Sequence, residues 1–194
     1  MNKPLYIFIG KSASGKTTVA NIFEGSGRYT QLQSYTTRLP RYRGEIGHIF
    51  ISEEEFDALE NLVAYTEYNG YRYGATAEQV DNVDIYVIDI PGFETLLEKY
   101  NTKRPIVIIY FDASICTRID RMIDRGDSDT VIVSRLYTDE KDDWERQLHK
   151  IAWHCKNNEN RDVEMYIVDA NQDLAPVVAQ ITQHIADHKK ESSI

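Results

Sequence analysis

Residues 10–17 read GKSASGKT and fit the pattern G-x-x-x-x-G-K-[ST] in full. Glycine lets such a loop curl, so that consecutive backbone N–H groups converge on phosphate oxygens. The ammonium of Lys16 would reach the β- and γ-phosphates of a nucleoside triphosphate, and the hydroxyl of Thr17 would bind Mg²⁺. We therefore expect ATP and Mg²⁺ as cofactors, with loop contacts from Gly10, Ser12, Ala13, Ser14, Gly15, Lys16, Thr17 and Thr18.

A carboxylate at the end of a strand helps to hold Mg²⁺ in proteins with such a loop. Asp89 follows the apolar run 85–88 and is the best candidate, although an aspartate there could instead cap a helix or lie in a turn. Asp112 and Asp169 also follow apolar runs, but nothing else in the sequence places them near the loop. The chain contains no Asn-Lys-x-Asp stretch of the kind that reads guanine in GTPases, so a regulatory GTPase is disfavoured.

A second phosphate site is indicated by residues 34–47, SYTTRLPRYRGEIG. Arg38 and Arg41 stand three positions apart with Pro40 between them, and two planar guanidinium groups can bind one phosphate. Arginines on an exposed loop are the alternative interpretation. The phosphate loop just upstream favours a binding site, because a kinase also needs a place for its phosphate acceptor.

These motifs resemble those of the guanylate kinase family of nucleoside monophosphate kinases, and the resemblance covers most of the chain. It extends to the helix start at 52–56, the pair Tyr73-Gly74, Asp89 and the segment 121–135, which is similar to the family's lid. The resemblance implies that the acceptor's phosphate binds to Ser34, Arg38, Arg41 and Tyr73, with His48 where the family has a tyrosine. It also implies that Arg121, Arg125 and Arg135 lie in or beside the lid and clamp the transferring phosphates.

The sequence departs from the family where the guanine base is read. Ala64 stands where the family has a glutamate, Ala75 where a serine or threonine is usual, and Pro91 where a second aspartate is usual. Glu67 could replace the missing glutamate only if the local alignment shifts. Hydrogen bonds to a polar base are what exclude its analogues, so these changes put recognition of guanine in question.

The motifs and the resemblance together predict ATP-dependent phosphoryl transfer to a nucleoside monophosphate, with a GMP-like acceptor. We expect Lys16, Arg38, Arg41, Arg125 and Arg135 to act in catalysis by compensating the charge on the transferring group. Two alternatives stay open: a kinase of the same fold for another nucleotide or a sugar phosphate, and a guanylate-kinase-like module that binds proteins. The complete phosphate loop and the retained arginines argue against the second.

The elements that would position these residues are buried strands alternating with helices, which predicts a three-layer α/β sandwich around a parallel sheet. We expect strands at 5–9, 85–90, 105–111 and 163–168, and helices at 93–100, 114–124 and 131–157. A last helix would begin after Asp173. The segment 34–83 breaks this alternation, and we interpret it as an acceptor-binding lobe that contains a helix at 53–61 with a Ser52/Glu55 capping box. The chain is thus expected to be one domain, with its core at 1–33 and 84–194 and a lid at about 125–135.

The composition limits the remaining possibilities. The 194 residues carry a formal charge of −9, yet residues 1–43 hold seven basic residues and one acidic residue, so the positive charge gathers around the two phosphate motifs. An acidic chain is a poor ligand for nucleic acid, and no apolar run is long enough to span a membrane. With two cysteines and no signal-peptide pattern, we expect a cytoplasmic protein that binds small-molecule nucleotides, of unknown oligomeric state. The run 139–143 and the pair His184 and His188 are expected to be solvated.

Overall fold

The computed structural model describes residues 3–41, 43–102, 104–141, 144–157 and 162–191. Eight strands and eight helices lie in these ranges. In chain order they are β1 (Leu5–Ile9), α1 (Lys16–Gly25), β2 (Ser34–Thr36), β3 (His48–Phe50), α2 (Glu53–Asp57), β4 (Leu62–Tyr68), β5 (Tyr71–Thr76), α3 (Ala77–Asp81), β6 (Ile85–Val87), α4 (Ile90–Lys99), β7 (Ile106–Asp112), α5 (Ile115–Asp124), α6 (Asp129–Lys141), α7 (Trp144–Asn157), β8 (Val163–Asp169) and α8 (Leu174–Glu191).

The centre of the molecule is a four-stranded parallel sheet with the order β6-β1-β7-β8. Every residue of β1 is fully buried, because both faces of this strand are covered. Alternate side chains point to opposite faces, so Leu5 and Ile7 pack with α4 and α7 while Tyr6 and Phe8 pack with α1 and α8. This arrangement confirms the predicted three-layer α/β fold. Among the described residues, no helix is long and apolar enough to cross a membrane.

A second sheet with the order β3-β2-β5-β4 is formed between residues 34 and 76. Strands β4 and β5 form a hairpin whose turn is Asn69-Gly70, and both residues have the positive φ that a tight hairpin turn needs. The predicted capping box is present, since Ser52 accepts a hydrogen bond from the backbone of Glu55, whose carboxylate accepts one from the backbone of Ser52. Helix α2 ends at Asp57, however, so the predicted helix at 53–61 is too long. The role of this region as an acceptor-binding lobe stays a prediction.

Two other predicted boundaries are wrong. The strand expected at 85–90 ends at Val87, and α4 begins at Ile90 rather than at residue 93, because Pro91 is tolerated in the first turn of a helix. Helices α6 and α7 cover most of the helical stretch predicted at 131–157, and residues 142 and 143 lie outside the described residues. The last helix does begin directly after Asp173.

His188 is buried, which corrects the expectation that it is solvated. It lies on α8, and its Nδ1 is 3.0 Å from Oε2 of Glu164 on β8. Glu164 also accepts a hydrogen bond from the Tyr166 hydroxyl, and the ring of Tyr166 stacks on His184. These contacts attach the last helix to the edge of the central sheet.

Candidate active site

The phosphate loop leaves the end of β1 and enters α1, and two glycines make this path possible. A Cβ on Gly10 would lie 2.8 Å from the carbonyl oxygen of Phe111 on the neighbouring strand, so no larger residue fits there. Gly15 is the N-cap of α1 and has a φ of 101°, a conformation that other residues avoid. The loop therefore presents its backbone N–H groups at the positive end of α1, where an anion is stabilised.

Lys16 is the first residue of α1, and its ammonium turns back into the loop. It donates hydrogen bonds to the carbonyl oxygens of Gly10 at 2.6 Å and of Lys11 at 2.9 Å. Burial lowers the pKa of Lys16 to about 8, although the negative charges of Asp139 and Asp89 act in the opposite direction. The ammonium is thus held at the loop with little solvation of its own.

A large cavity of about 730 Å³ opens on one side of the phosphate loop. Arg121 spans its floor, donating hydrogen bonds to the carbonyl oxygens of Ser14, Ala170 and Gln172. The sequence places Arg121 in or beside the lid, whereas the structure places it between the loop and the end of β8. The cavity is lined by residues 13–19 of the loop and α1, by Thr117, Asp120, Arg121, Asp124 and Arg125, and by Asn171, Gln172, Asp173, Leu174 and Val177.

A small cavity of about 220 Å³ lies on the other side of the loop, between the central sheet and the second sheet. Lys16 lines both cavities, so the two meet at its side chain. Six aromatic rings contribute to the wall of the small cavity. It includes Gly10, Ser12 and Lys16 from the loop, Ser34, Arg41, His48, Tyr65, Thr66, Tyr68 and Tyr73 from the second sheet and its loops, and Tyr86, Asp89, Pro91, Asp139 and Trp144 from the rest of the chain.

Arg38 is held in place by a carboxylate that the sequence analysis did not single out. Its guanidinium donates two hydrogen bonds to Glu45, at 2.8 and 3.1 Å, and one to the carbonyl oxygen of Leu39. Burial acts to lower the pKa of Arg38, but the hydrogen bonds and charge of Glu45 outweigh it and raise the pKa. Arg38 does not line the small cavity, whereas Arg41, whose backbone N–H also bonds to Glu45, does.

His48 lies next to two of the predicted acceptor-binding residues. Its Nδ1 is 2.9 Å from the hydroxyl oxygen of Ser34, and its ring meets that of Tyr73 edge to face. Burial, and then the positive charge of Arg38, lower the pKa of His48 to about 4. The imidazole is therefore neutral near pH 7 and offers a hydrogen bond without adding charge.

The positions compared with the family's guanine-reading residues divide into two groups. Ala64 and Ala75 pair across β4 and β5 and are buried in the hydrophobic core, at 1% and 0% exposure. Pro91 lines the small cavity. The polar groups at this end of the cavity are instead Thr66 and Asp89, whose side chains share a hydrogen bond of 2.9 Å.

Asp89 is the N-cap of α4, since its Oδ1 accepts a hydrogen bond from the backbone of Gly92. It also lines the small cavity, so capping and a role in the cavity are compatible. Thr17, in the first turn of α1, lines the large cavity. A hydroxyl and a carboxylate are oxygen ligands of the type that Mg²⁺ prefers, and such sites are commonly completed by substrate phosphates. The described residues contain no cluster of three or more potential metal ligands, and the Mg²⁺ site stays a prediction.

The two arginines predicted for the lid converge on one carboxylate. Asp127 accepts two hydrogen bonds from Arg125 and lies 3.8 Å from Nε of Arg135, and these positive charges lower its pKa. The pKa of Arg41 is lowered by burial and then by the charges of Arg38 and Arg135. The positive charges of the other three predicted catalytic arginines, Arg38, Arg125 and Arg135, thus all act on Arg41.

The fold allows a direct comparison with known proteins. No protein-family model matches the chain, and no curated protein matches it by sequence. Among solved structures, it is similar to a guanylate kinase from Anaplasma phagocytophilum, with a TM-score of 0.58 and 20% identity over 96% of this chain and 86% of that one. It is also similar to a gluconokinase from Sinorhizobium meliloti 1021, with a TM-score of 0.50 and 14% identity over 98% of this chain and 95% of that one.

The chain therefore shares the fold of these two kinases. Identities at this level show the fold and leave the acceptor open. Within this fold, the chain places the predicted loop residues together around Lys16 and places Ser34, Arg41, His48 and Tyr73 together in the small cavity.

Asp139 is the main functional candidate that the sequence does not reveal. It is buried, whereas Glu140 and Lys141 of the run 139–143 are exposed as expected, and residues 142 and 143 lie outside the described residues. Asp139 is 3% exposed and accepts hydrogen bonds from the backbone N–H and the hydroxyl of Ser12, at 3.0 and 3.2 Å. It also forms an ion pair with Arg118 at 2.5 Å. In the sequence it stands in a charged run, and no local signal distinguishes it from the solvated residues beside it.

Proposed function

We propose that this protein transfers the γ-phosphoryl group of ATP to the phosphate of a nucleoside monophosphate. The observation that carries the proposal is the position of Lys16, which forms part of both cavities. The large cavity adjoins the N-terminus of α1 and suits a nucleoside triphosphate. The small cavity, with Arg41 in its wall, suits an acceptor that carries its own negative charge.

Phosphoryl transfer requires little covalent chemistry from the protein, so the residues act by positioning and by charge compensation. The loop backbone and Lys16 would hold the β- and γ-phosphates of ATP. Thr17 and Asp89 are the residues that would hold Mg²⁺, which when bound neutralises charge on the triphosphate. Arg41 would orient the acceptor phosphate, which is already an anionic nucleophile, so no general base is needed.

The lid arginines would complete the site after both substrates bind. Arg125 and Arg135 are paired with Asp127, and an incoming phosphate would compete with this carboxylate for them. Closing them over the γ-phosphate would exclude water and limit hydrolysis of ATP. Arg38, held by Glu45 beside the small cavity, would support the acceptor phosphate from the same side as Arg41.

A GMP-like nucleotide is the acceptor that the resemblance favours, and a different phosphorylated acceptor is the second candidate. The second is favoured by one observation. Ala64 and Ala75 are buried in the core, whereas Thr66 and Asp89 line the small cavity and share a hydrogen bond. An acceptor read by a hydroxyl and a carboxylate would bear hydrogen-bond donors there, as the hydroxyls of a sugar phosphate or the N–H groups of a base do.

The proposal is tested by measuring ADP release with Mg²⁺·ATP and a panel of ribo- and deoxynucleoside monophosphates and sugar phosphates. We expect turnover with at least one nucleoside monophosphate and none with the Lys16→Ala variant, which controls for contaminating kinases. Turnover with a sugar phosphate alone would support the second candidate. If no acceptor is phosphorylated although ATP binds in calorimetry, the kinase proposal is wrong and a binding role becomes the better explanation.

A further inference from the structure

Helix α6 is attached to the phosphate loop by two consecutive carboxylates. Asp139 binds the backbone N–H and hydroxyl of Ser12, and Glu140 lies 3.3 Å from the ammonium of Lys11. Arg118 on α5 lies behind both carboxylates, at 2.5 Å from Asp139 and 3.7 Å from Glu140. These contacts join elements that are far apart in sequence, since Ser12 and Asp139 are separated by 127 positions.

The contact between Asp139 and the loop is buried and specific. Asp139 and Arg118 are 3% and 1% exposed, and burying two charges is costly unless their hydrogen bonds are made. Three groups bind the Asp139 carboxylate, and two of them belong to Ser12. Because Ser12 lines the small cavity but not the large one, the attachment point lies on the acceptor side of the loop.

The same helix carries Arg135 one turn before Asp139. Residues four apart share one face of a helix and lie about 6 Å apart along its axis. Arg135 therefore lies one turn from a residue in the wall of the small cavity, and its positive charge acts to lower the pKa of both Lys16 and Arg41. Helix α6 therefore contacts the phosphate loop through Asp139. The same helix carries Arg135, which lies with Arg125 beside Asp127.

We propose that Asp139 is a positioning residue, which fixes α6 against the phosphate loop and so sets Arg135 at the correct distance from Lys16 for phosphoryl transfer. Asp139 lines the small cavity, and we infer that it acts on Arg135 through its hydrogen bonds to Ser12 and its ion pair with Arg118. This inference rests on the proposed function. It adds that the lid-bearing helix and the loop that holds the donor phosphate are coupled as one unit.

A double-mutant cycle with Asp139→Asn and Arg135→Ala tests the proposal, using the best acceptor from the panel described above. Asparagine keeps the size of the side chain but removes its charge. In the unmodified background we expect kcat to fall about 10- to 100-fold, as for a small misplacement of a catalytic group, with the KM for ATP little changed. In the Arg135→Ala background the same substitution should lower kcat less than about threefold, because the positioned group is already gone.

The matched control is Glu145→Gln, which removes an exposed carboxylate from α7 and should leave kcat unchanged. Thermal melting establishes that each variant is folded. If Asp139→Asn does not fold, Ser12→Ala replaces it in the cycle, since this change removes only the hydroxyl contact and keeps the ion pair with Arg118. For Ser12→Ala we expect a fall in kcat of about threefold to tenfold, again lost in the Arg135→Ala background.

Three results would overturn the inference while leaving the proposed function intact, and the first two concern kcat. One is an unchanged kcat in folded Asp139→Asn protein, and the other is a loss of kcat that is the same with and without Arg135. An effect on the KM for ATP alone would likewise assign Asp139 to the loop and not to the positioning of Arg135. Absence of turnover in the unmodified protein would instead remove the proposed function, and the inference with it.

Discussion

The large and small cavities share Lys16 but are otherwise lined by different kinds of residues. The large cavity is shaped by the phosphate loop, the first turn of α1 and the helix and loop residues facing them. The small cavity is walled by four tyrosines, a histidine and a tryptophan from separate parts of the chain. Backbone N–H groups bind phosphate whatever is attached to it, whereas side chains decide which acceptor fits. The comparison suggests that the donor side is general and that specificity is determined on the acceptor side.

The cations of the two regions also differ in how they are held. Lys16 and Arg121 on the donor side bind carbonyl oxygens of the main chain. On the acceptor side, Arg38 and Arg41 are paired with the carboxylate of Glu45. A carbonyl leaves the positive charge uncompensated, while a carboxylate cancels it. Phosphate binding on the acceptor side therefore has to compete with an existing ion pair.

The largest effect is expected from Lys16→Ala, because Lys16 belongs to both cavities. Loss of the ammonium should lower kcat/KM by about 10³-fold or more, as for removal of a group that stabilises charge in a transition state. The measurement is ADP release under saturating acceptor. Lys11→Ala provides the control within the same loop, since Lys11 is paired with Glu140 and lines neither cavity. Comparable losses in both variants would contradict the special role of Lys16.

A smaller effect, on the acceptor and not on ATP binding, is expected from Arg41→Ala and Arg38→Ala. Both should raise the KM for the acceptor and lower kcat, by about 10- to 100-fold in kcat/KM, while ATP affinity measured by calorimetry is largely kept. The larger loss is expected for Arg41, which lines the small cavity directly. Arg43→Ala removes an exposed arginine from the same segment and is the control. If ATP affinity fell as much as kcat/KM for the acceptor does, the donor and acceptor sides would not be independent binding sites.

The parts of the fold that the sequence predicts well depend on signals between neighbouring residues. The glycines of the phosphate loop, the Ser52/Glu55 capping box and the continuous apolar run of β1 each specify their local structure, and all three are present. The boundary near Pro91 was wrong for the same kind of reason. Proline ends a strand but is also accepted in the first turn of a helix, and only the capping contact of Asp89 decides between them.

The parts that the sequence does not reveal depend on contacts between distant residues. Asp139 resembles its solvated neighbours until the fold brings Ser12 and Arg118 to it. Glu45 lies within the motif at 34–47, but its bidentate hydrogen bond with Arg38 is visible only in the three-dimensional structure. The family resemblance predicts a set of acceptor-binding residues, and the structure brings most of them to one cavity. It could not indicate that Ala64 and Ala75 are enclosed in the core, because burial depends on how β4 and β5 pack.

The smallest expected effect is on the pH dependence of protein stability. It depends on His48, which lines the small cavity but not the large one. The neutral imidazole of His48 is half-buried in the folded protein, where its pKa is about 4, against about 6.5 when unfolded. Between these values the unfolded chain binds more protons than the folded protein does. The stability that His48 contributes is therefore complete above pH 6.5 and is lost as the pH falls toward 4, by about 3 kcal/mol at most.

This loss is measured by denaturant unfolding between pH 7 and 4 in the unmodified protein and in His48→Phe. Phenylalanine keeps a ring against Tyr73 but loses the hydrogen bond to Ser34, so its stability is lower at pH 7 and should decline less steeply below pH 6.5. Carboxylates such as Glu45 titrate in both proteins, and the difference between the two slopes isolates His48. His149→Gln changes an exposed histidine and should leave the slope as it is. Parallel slopes for His48→Phe and the unmodified protein would mean that the imidazole is solvated enough to be protonated in place, and the small cavity would then carry a positive charge below pH 6.5 that its acceptor could use.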